Sequence, residues 1–312
     1  MAARTSADGG RRLRAATRGS ALARWQTDRV IELLGPDVEV EVVVVQTEGD
    51  RRTDVPISEM GGRGVFVKEV QGAVLDGRAD FAVHSAKDLP SSYGAEGLMM
   101  AAVPERADPR DALVGSKFDD LPTGSLIATG SVRRRAQLAA LRPDLTFTDL
   151  RGNIGTRLDK ASQYGAIVMA AAALVRLGRQ DAIAEVLEPE VMLPQVAQGA
   201  LAVECRIDDE DLRARLARIE HGPSRRSVDA ERSFLAELGG GCDLPVGAYA
   251  VELVPGGAIR LEALIATGDG RVVLRHTDVG DEPATLGRAV ALQMLDGHGA
   301  RALLDQDAES TR

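Results

Sequence analysis

The chain has 312 residues, 44% of them hydrophobic and 27% charged, with a formal net charge of −9. Single cores stop growing near ~250–300 residues, so two or three domains are expected. The acidic balance excludes a general nucleic-acid coat or a polybasic membrane binder, but leaves room for a local cationic pocket.

Residues 1–10 read as a tail. Leu13 to Thr17 is a strand, and Arg18-Gly19-Ser20 leads into an apolar-periodic helix over Ala21 to Leu34, which Ser20 can cap and Gly35-Pro36 stops. Val38 to Gln46 holds the run Val42-Val43-Val44-Val45, the pattern of a strand buried on both faces. Gly61-Gly62-Arg63-Gly64 precedes a helix over Val65 to Leu75. Phe81-Ala82-Val83 is a strand running out into His84-Ser85-Ala86-Lys87-Asp88, and Leu98 to Val103 is another. Alternating strand and helix periods predict βαβ units and an open, largely parallel sheet, in which ligand groups gather beyond strand C-termini.

A second unit begins near Pro104. Leu126-Ile127-Ala128 runs into Thr129-Gly130-Ser131 and a helix containing Arg133 to Leu141. Thr146 to Leu150 leads to Arg151-Gly152-Asn153 and a helix over Gly155 to Ala161, and the strand Ala166 to Ala170 precedes a helix to Leu177. The repeated layout predicts two α/β lobes with a cleft between them. Glu210 to Ile219 is an exposed helix, and His221-Gly222-Pro223 a boundary. A helix near Ser227 to Leu238 reaches Gly239-Gly240-Gly241-Cys242-Asp243-Leu244-Pro245. Strands over Val246 to Leu253, Ile259 to Ala266 and Val272 to Thr277, then a helix near Thr285 to Leu295, predict a small α+β domain.

Four basic groups stand at strand exits: Arg18 with Ser20, Lys87 with Asp88, Arg133-Arg134 after Thr129 and Ser131, and Arg151 with Arg157 one turn on. Guanidinium groups grip carboxylates through paired hydrogen bonds, and helix N-termini favour anions, so a cleft for a polyanion is expected. The alternative for Arg133-Arg134-Arg135 is a solvated helix face. No phosphate-binding loop or dinucleotide fingerprint occurs. Asp88 is the acid/base candidate, or else a cap or partner of Lys87; His84 reads as a core or supporting group. The histidines show no zinc spacing. Two cysteines are too few for a disulfide framework. Cys205 fits simple burial, whereas Cys242 lies in a tight loop where a thiolate could form a covalent bond, or is an ordinary loop cysteine. No apolar signal segment opens the chain and no run approaches the ~18 residues of a membrane span, so a soluble, cytoplasmic protein is expected.

Seven fragments in order carry a resemblance. They are Thr17-Arg18-Gly19-Ser20; Gly61-Gly62-Arg63-Gly64-Val65-Phe66-Val67-Lys68-Glu69; Val83-His84-Ser85-Ala86-Lys87-Asp88-Leu89-Pro90; Glu105-Arg106-Ala107-Asp108-Pro109-Arg110-Asp111-Ala112; Leu150-Arg151-Gly152-Asn153-Ile154-Gly155-Thr156-Arg157-Leu158; Gln198-Gly199-Ala200; and Glu231-Arg232 through Cys242-Asp243-Leu244-Pro245-Val246-Gly247. From Leu13 to Ala302 the chain resembles the hydroxymethylbilane synthase (porphobilinogen deaminase) family.

The resemblance implies two doubly wound, periplasmic-binding-protein-like α/β lobes plus a small C-terminal α+β domain with an antiparallel sheet. The first lobe would take 11–103 plus 204–221, the second 104–203 and the C-terminal domain 222–304, with 1–10 and 305–312 as tails. It implies a C–C bond-forming transferase of tetrapyrrole biosynthesis. A dipyrromethane cofactor would be joined to Cys242 by a thioether and serve as primer for four porphobilinogen units, after which hydrolysis releases linear hydroxymethylbilane. Asp88 would be catalytic. Ser85, Lys87, Asp88, Thr129, Ser131, Arg133 and Arg134 would hold the cofactor, and Arg18, Ser20, Arg151 and Arg157 the substrate and growing chain. No metal, nucleic acid or membrane is implied; a monomer is expected, with uroporphyrinogen-III synthase acting next. The chain departs from the family pattern at Ala21, Arg63 and Gly130. A non-enzymatic two-lobed carboxylate-binding protein is the alternative, but it gives Asp88 and Cys242 no role; an enzyme of phosphate esters is a third reading.

Overall fold

The computed structural model describes residues 12–47, 67–90, 95–239 and 245–304. Gly61-Gly62-Arg63-Gly64 and Cys242 therefore lie outside the described residues.

The first lobe opens with β1 (Leu13–Arg18), α1 (Ala21–Leu34), β2 (Val40–Val45), α2 (Lys68–Leu75), β3 (Phe81–Ser85) and β4 (Leu98–Ala102). Ser20 caps α1, its Oγ accepting the Ala23 N–H at 3.2 Å. β1 pairs in parallel with β2 and β3. The valine run departs from the two-faced burial its sequence predicts: β2 is the outer strand of the described sheet, and Val44 is 46% exposed. Branched side chains suit any pleated, half-buried strand, so the run specifies β structure without specifying a central place.

The chain then crosses to a second lobe of β5 (Asp111–Val114), β6 (Leu126–Ala128), α3 (Val132–Leu141), β7 (Thr146–Thr148), α4 (Ile154–Asp159), β8 (Ala166–Ala170), α5 (Ala171–Arg176) and β9 (Ile183–Leu187). Here the strand order is β7-β6-β8-β5-β9. The chain returns along 188–200 to lay β10 (Leu201–Arg206) between β3 and β4, antiparallel to both, followed by α6 (Glu210–Leu216). β5 likewise runs antiparallel to β8 and β9. Each sheet is thus mixed by a single strand, four strands running one way and β10 or β5 against them, so the largely parallel expectation holds apart from that strand. β4 and β9 end at the edges where the chain crosses between lobes, so β5 and β10 must start there and run away from them. Apolar clusters cover both faces of each sheet.

The two connections run side by side, with Ala107 N donating to Gly199 O at 3.2 Å. Gly199 has φ 86°, and a Cβ there would stand 2.5 Å from Ala107 O, so only glycine permits the approach.

The third unit comprises α7 (Gly222–Glu237), β11 (Val246–Glu252), β12 (Ile259–Ala266), β13 (Val273–Gly280) and α8 (Pro283–Leu292), the strands forming an antiparallel sheet. α7 starts at Gly222 instead of near Ser227, because Pro223 in its first turn lacks only an N–H that would go unbonded there. Val228 and Phe234 of α7, Leu261 and Val290 share one core cluster with Ala86 and Leu89 of the first lobe. Fully buried Glu231 joins three segments: it accepts Arg106 Nη1 at 2.6 Å and Nη2 at 3.1 Å, Ala197 N at 2.6 Å and Ala250 N at 2.9 Å. Among the described residues, no helix is long and apolar enough to cross a membrane.

Candidate active site

Strand direction brings the basic groups to facing edges. β1 and β3 are parallel neighbours, so Arg18 and Ser85 leave the first sheet on one edge. β6 and β7 are parallel in the second, so Thr129 and Arg151 leave together, with Thr129 N donating to Thr148 O at 2.9 Å. The crossing between lobes joins these same edges.

Lys87 and Asp88 occupy a single 3-10 turn, Ala86–Asp88, directly after β3. Buried Ala86 and Leu89 seat the turn on the core shared with α7, and Arg232 Nη2 donates to Pro90 O at 2.8 Å just beyond it. Lys87 Nζ donates to Gln198 Oε1 at 3.2 Å. Burial pushes the Lys87 ammonium down to about 8; Asp88 and Asp111 oppose that shift, while Arg134 and Arg133 add to it. Asp88 itself is half-buried.

The three consecutive arginines divide. Arg135 is exposed, whereas Arg133 and Arg134 are 3% and 7% exposed, which removes the solvated-face alternative for this pair. Fully buried Asp111, the first residue of β5, holds both: Arg133 Nη2 lies 2.8 Å from Oδ2, and Arg134 Nη2 and Nε donate to Oδ1 at 2.7 and 3.0 Å. Each also reaches backbone, Arg133 Nη1 donating to Leu193 O at 2.7 Å and Arg134 Nη1 to Val168 O at 2.9 Å, while Arg133 Nε is buried without a hydrogen-bond partner among the described residues. Burial alone would raise the Asp111 carboxyl, but Arg133, Arg134 and Gln198 hold it well below the usual carboxylate range. Thr129 and Ser131 shape the entry to α3. Thr129 Oγ1 accepts Ser131 N at 3.2 Å and Ser131 Oγ accepts Arg134 N at 3.4 Å, so each hydroxyl hydrogen can still be donated elsewhere.

Asn153 caps α4, and Arg157 Nε donates to Gly152 O at 2.7 Å. Arg157 is pushed down to about 10 by burial and by the nearby charges of Arg134 and Arg151. Arg151 lies 3.4 Å from Asp149 at the surface. Lys87, Asp88, Arg133, Arg134, Arg151 and Arg157 thus form one electrostatically connected group, with Arg18 and Ser20 on the first-lobe edge. Sequence reasoning gave no role to Asp111 or Gln198, although both lie in fragments that carry the resemblance. An aspartate opening the apolar run Ala112-Leu113-Val114 was the available signal. Arg176, also unassigned, donates from Nη2 to Gly199 O at 2.6 Å and lies 5.5 Å above the Trp25 ring. His84 is buried 3.1 Å from Glu204, the supporting place expected for it.

A family model for porphobilinogen deaminase, dipyromethane cofactor binding domain, matches residues 13–214, and one for the porphobilinogen deaminase C-terminal domain matches 226–296. The chain belongs to the porphobilinogen deaminase family. A porphobilinogen deaminase of Syntrophus aciditrophicus (strain SB) is 44% identical over 299 residues, 93% of this chain and 96% of its own. Another, of Nitratidesulfovibrio vulgaris (strain DSM 19637 / Miyazaki F), is 46% identical over 91% of this chain and 94% of its own. Among solved structures, a periplasmic substrate-binding protein of an ABC transporter from Coxiella burnetii overlays 68% of this chain and 93% of its own, with a TM-score of 0.39 and 12% identity.

The cationic strand exits fall inside the stretch matched as the porphobilinogen deaminase cofactor-binding domain. The donor set fits a multiply carboxylated dipyrromethane. Burial first, and then Arg134, lower the proton affinity of both Lys87 and Arg157; Asp88 and Asp111 oppose this at Lys87, whereas at Arg157 the neighbouring charges are those of Arg134 and Arg151, which incoming carboxylates would relieve.

Proposed function

We propose that the chain is a hydroxymethylbilane synthase that condenses four porphobilinogen molecules, with loss of ammonia, and releases the linear tetrapyrrole by hydrolysis. The observation that carries this reading is the Lys87-Asp88 turn placed against the Arg133-Arg134-Arg157 cluster: one acid/base carboxylate within a field of carboxylate-gripping cations. Ser85, Lys87, Asp88, Thr129, Ser131, Arg133 and Arg134 would hold dipyrromethane, with Cys242 as its covalent attachment. Arg18, Ser20, Arg151 and Arg157 would take the acetate and propionate of each incoming porphobilinogen. When bound, the dipyrromethane supplies the pyrrole carbon to which the first substrate is joined.

Asp88 holds the proton at the aminomethyl nitrogen of porphobilinogen while ammonia departs. Its carboxylate then faces the positive charge left on the substrate's methylene-pyrrole and takes the proton that bond formation releases. Arg133 and Arg134 arrive pre-aligned, because Asp111 and backbone carbonyls fix them before any ligand binds, which lowers the ordering cost of gripping carboxylates. The two-lobed carboxylate-binder alternative shares the cleft but leaves Asp88 without work. A reducing cytoplasm accords with a thiol that must be free to form the thioether, and the chain is read as a monomer. Because linear hydroxymethylbilane closes spontaneously, a ring-closing uroporphyrinogen-III synthase is the fitting next enzyme.

Asp88→Asn is expected to keep the fold and lose about 10²–10⁴-fold in porphobilinogen consumption, with Cys242→Ser lacking a dipyrromethane adduct in its intact mass. Near-normal turnover by Asp88→Asn, or full activity without a pyrrolic group on Cys242, would overturn the reading.

A further inference from the structure

Gln198 lies in the return segment between the lobes, fully buried, and its amide reaches three ways. Oε1 accepts Lys87 Nζ at 3.2 Å; Nε2 donates to Pro109 O at 2.7 Å and to Asp111 Oδ1 at 2.9 Å. The first partner follows a strand of lobe one, the second lies on the outgoing crossing, and the third opens β5 of lobe two and holds Arg133 and Arg134. The backbone beneath is tightly fixed. Ala197 takes a left-handed φ of 58°, Gln198 N donates to Gln195 O at 2.9 Å, and Gly199 abuts Ala107. An uncharged amide carries an acceptor and two donors on one short group, so it satisfies an ammonium on one side and a carboxylate on the other. A glutamate here would oppose Asp111, and a lysine would oppose Lys87.

We propose that Gln198 is a positioning residue: it ties Lys87 of the first lobe to the Asp111-Arg133-Arg134 unit of the second, and so sets the spacing of the cations that receive the primer's carboxylates. This rests on the reading of Lys87, Arg133 and Arg134 as primer-holding groups. Gln198 touches no reacting atom and acts through Lys87 and Asp111. The charged groups bearing on Lys87 come from both lobes: Asp88 beside it, and Arg134, Asp111 and Arg133 across the cleft.

The chain has only four lysines, Lys68, Lys87, Lys117 and Lys160, so carbon-13 labelling of lysine gives a spectrum in which Lys87 can be followed by pH titration. Apoprotein of the full chain is then mixed with porphobilinogen, and the dipyrromethane adduct is timed by intact mass. Gln198→Met removes both polar ends at similar length. Its Lys87 titration is expected to move to lower pH and adduct formation to slow about 10-fold or more, as for loss of a hydrogen bond to a charged group. Gln198→Glu keeps the acceptor for Lys87 but faces Asp111 with a second carboxylate. It is expected to move the Lys87 titration upward and still to slow adduct formation; it decides the matter should Gln198→Met not fold. Adduct formation within about two-fold of the unaltered protein, or a lower melting temperature with an unmoved Lys87 titration, would overturn the proposal and leave Gln198 a packing residue. Failure of the unaltered protein to acquire any adduct would instead overturn the primer-site reading beneath it.

Discussion

Asp111 is a carboxylate shut away from water between two guanidiniums, and its energetics follow from that place. Asp111→Asn would leave Arg133 and Arg134 buried without their counter-charge. It is expected to lower the unfolding free energy by about 3–5 kcal/mol, measured by urea denaturation. Because the folded carboxyl is depressed, its stabilisation is present above the unfolded value near ~4 and fades as pH falls below it, so the variant should also lose part of the acid-unfolding slope. Lys87 behaves oppositely. Its folded value of about 8 lies below the free value of 10.5, so the unfolded chain binds more protons between them and this group adds stability as pH rises across that window. Over the same rise the ammonium is lost, so adduct acquisition by apoprotein is expected to weaken above about pH 8, and Lys87→Met should flatten that limb of the pH profile. At this scale Asp88, Lys87 and the arginines were legible because charge at a strand exit is a local pattern. Asp111 was not: it stands 23 residues from Arg134 and 87 from Gln198 in the chain, and only folding makes them neighbours.

Elements with a local signature were read where they stand. Ser20 and Gly35 bracket α1 over Ala21–Leu34, and the turns between β11, β12 and β13 mark that sheet. β5, β9 and β10 escaped, since short apolar runs without an alternating period carry no strand signal of their own, and nothing local tells that β5 and β10 enter their sheets against the grain. The pairing of α7 with α8 was equally hidden. Gly287 of α8 lies so near α7 that a Cβ would collide with Ala230 O and stand 2.8 Å from Phe234 N. Gly287→Ala must therefore part the helices and is expected to cost about 1–3 kcal/mol, read as a lower melting temperature. Glu231 shows the complementary lesson: a charged residue in a fragment marking the family secures the frame, buried against Arg106 and two backbone amides, and has no place in the chemistry.

Across the whole molecule, the two α/β lobes and the α+β unit were foreseeable from period and resemblance, whereas their contacts were not. Trp25 on α1 and Arg176 on α5 meet from different lobes. Trp25 is the single tryptophan, so the tryptophan emission of the protein arises at this place. If the lobes shift as the pyrrole chain lengthens, stopped-flow mixing with porphobilinogen should change that emission on a microsecond-to-millisecond timescale or slower; constant emission through steady turnover would mean that this contact holds. The insertion of β10 between β3 and β4 has a further consequence for biogenesis. On the ribosome, the early part of the chain must wait with a gap in the middle of its own sheet. The later, contiguous stretch from Asp111 to Leu187 has all its strands and can close first. Translation order and assembly order are therefore reversed, and the nascent first lobe is the part that needs shelter from aggregation until Arg206 has emerged.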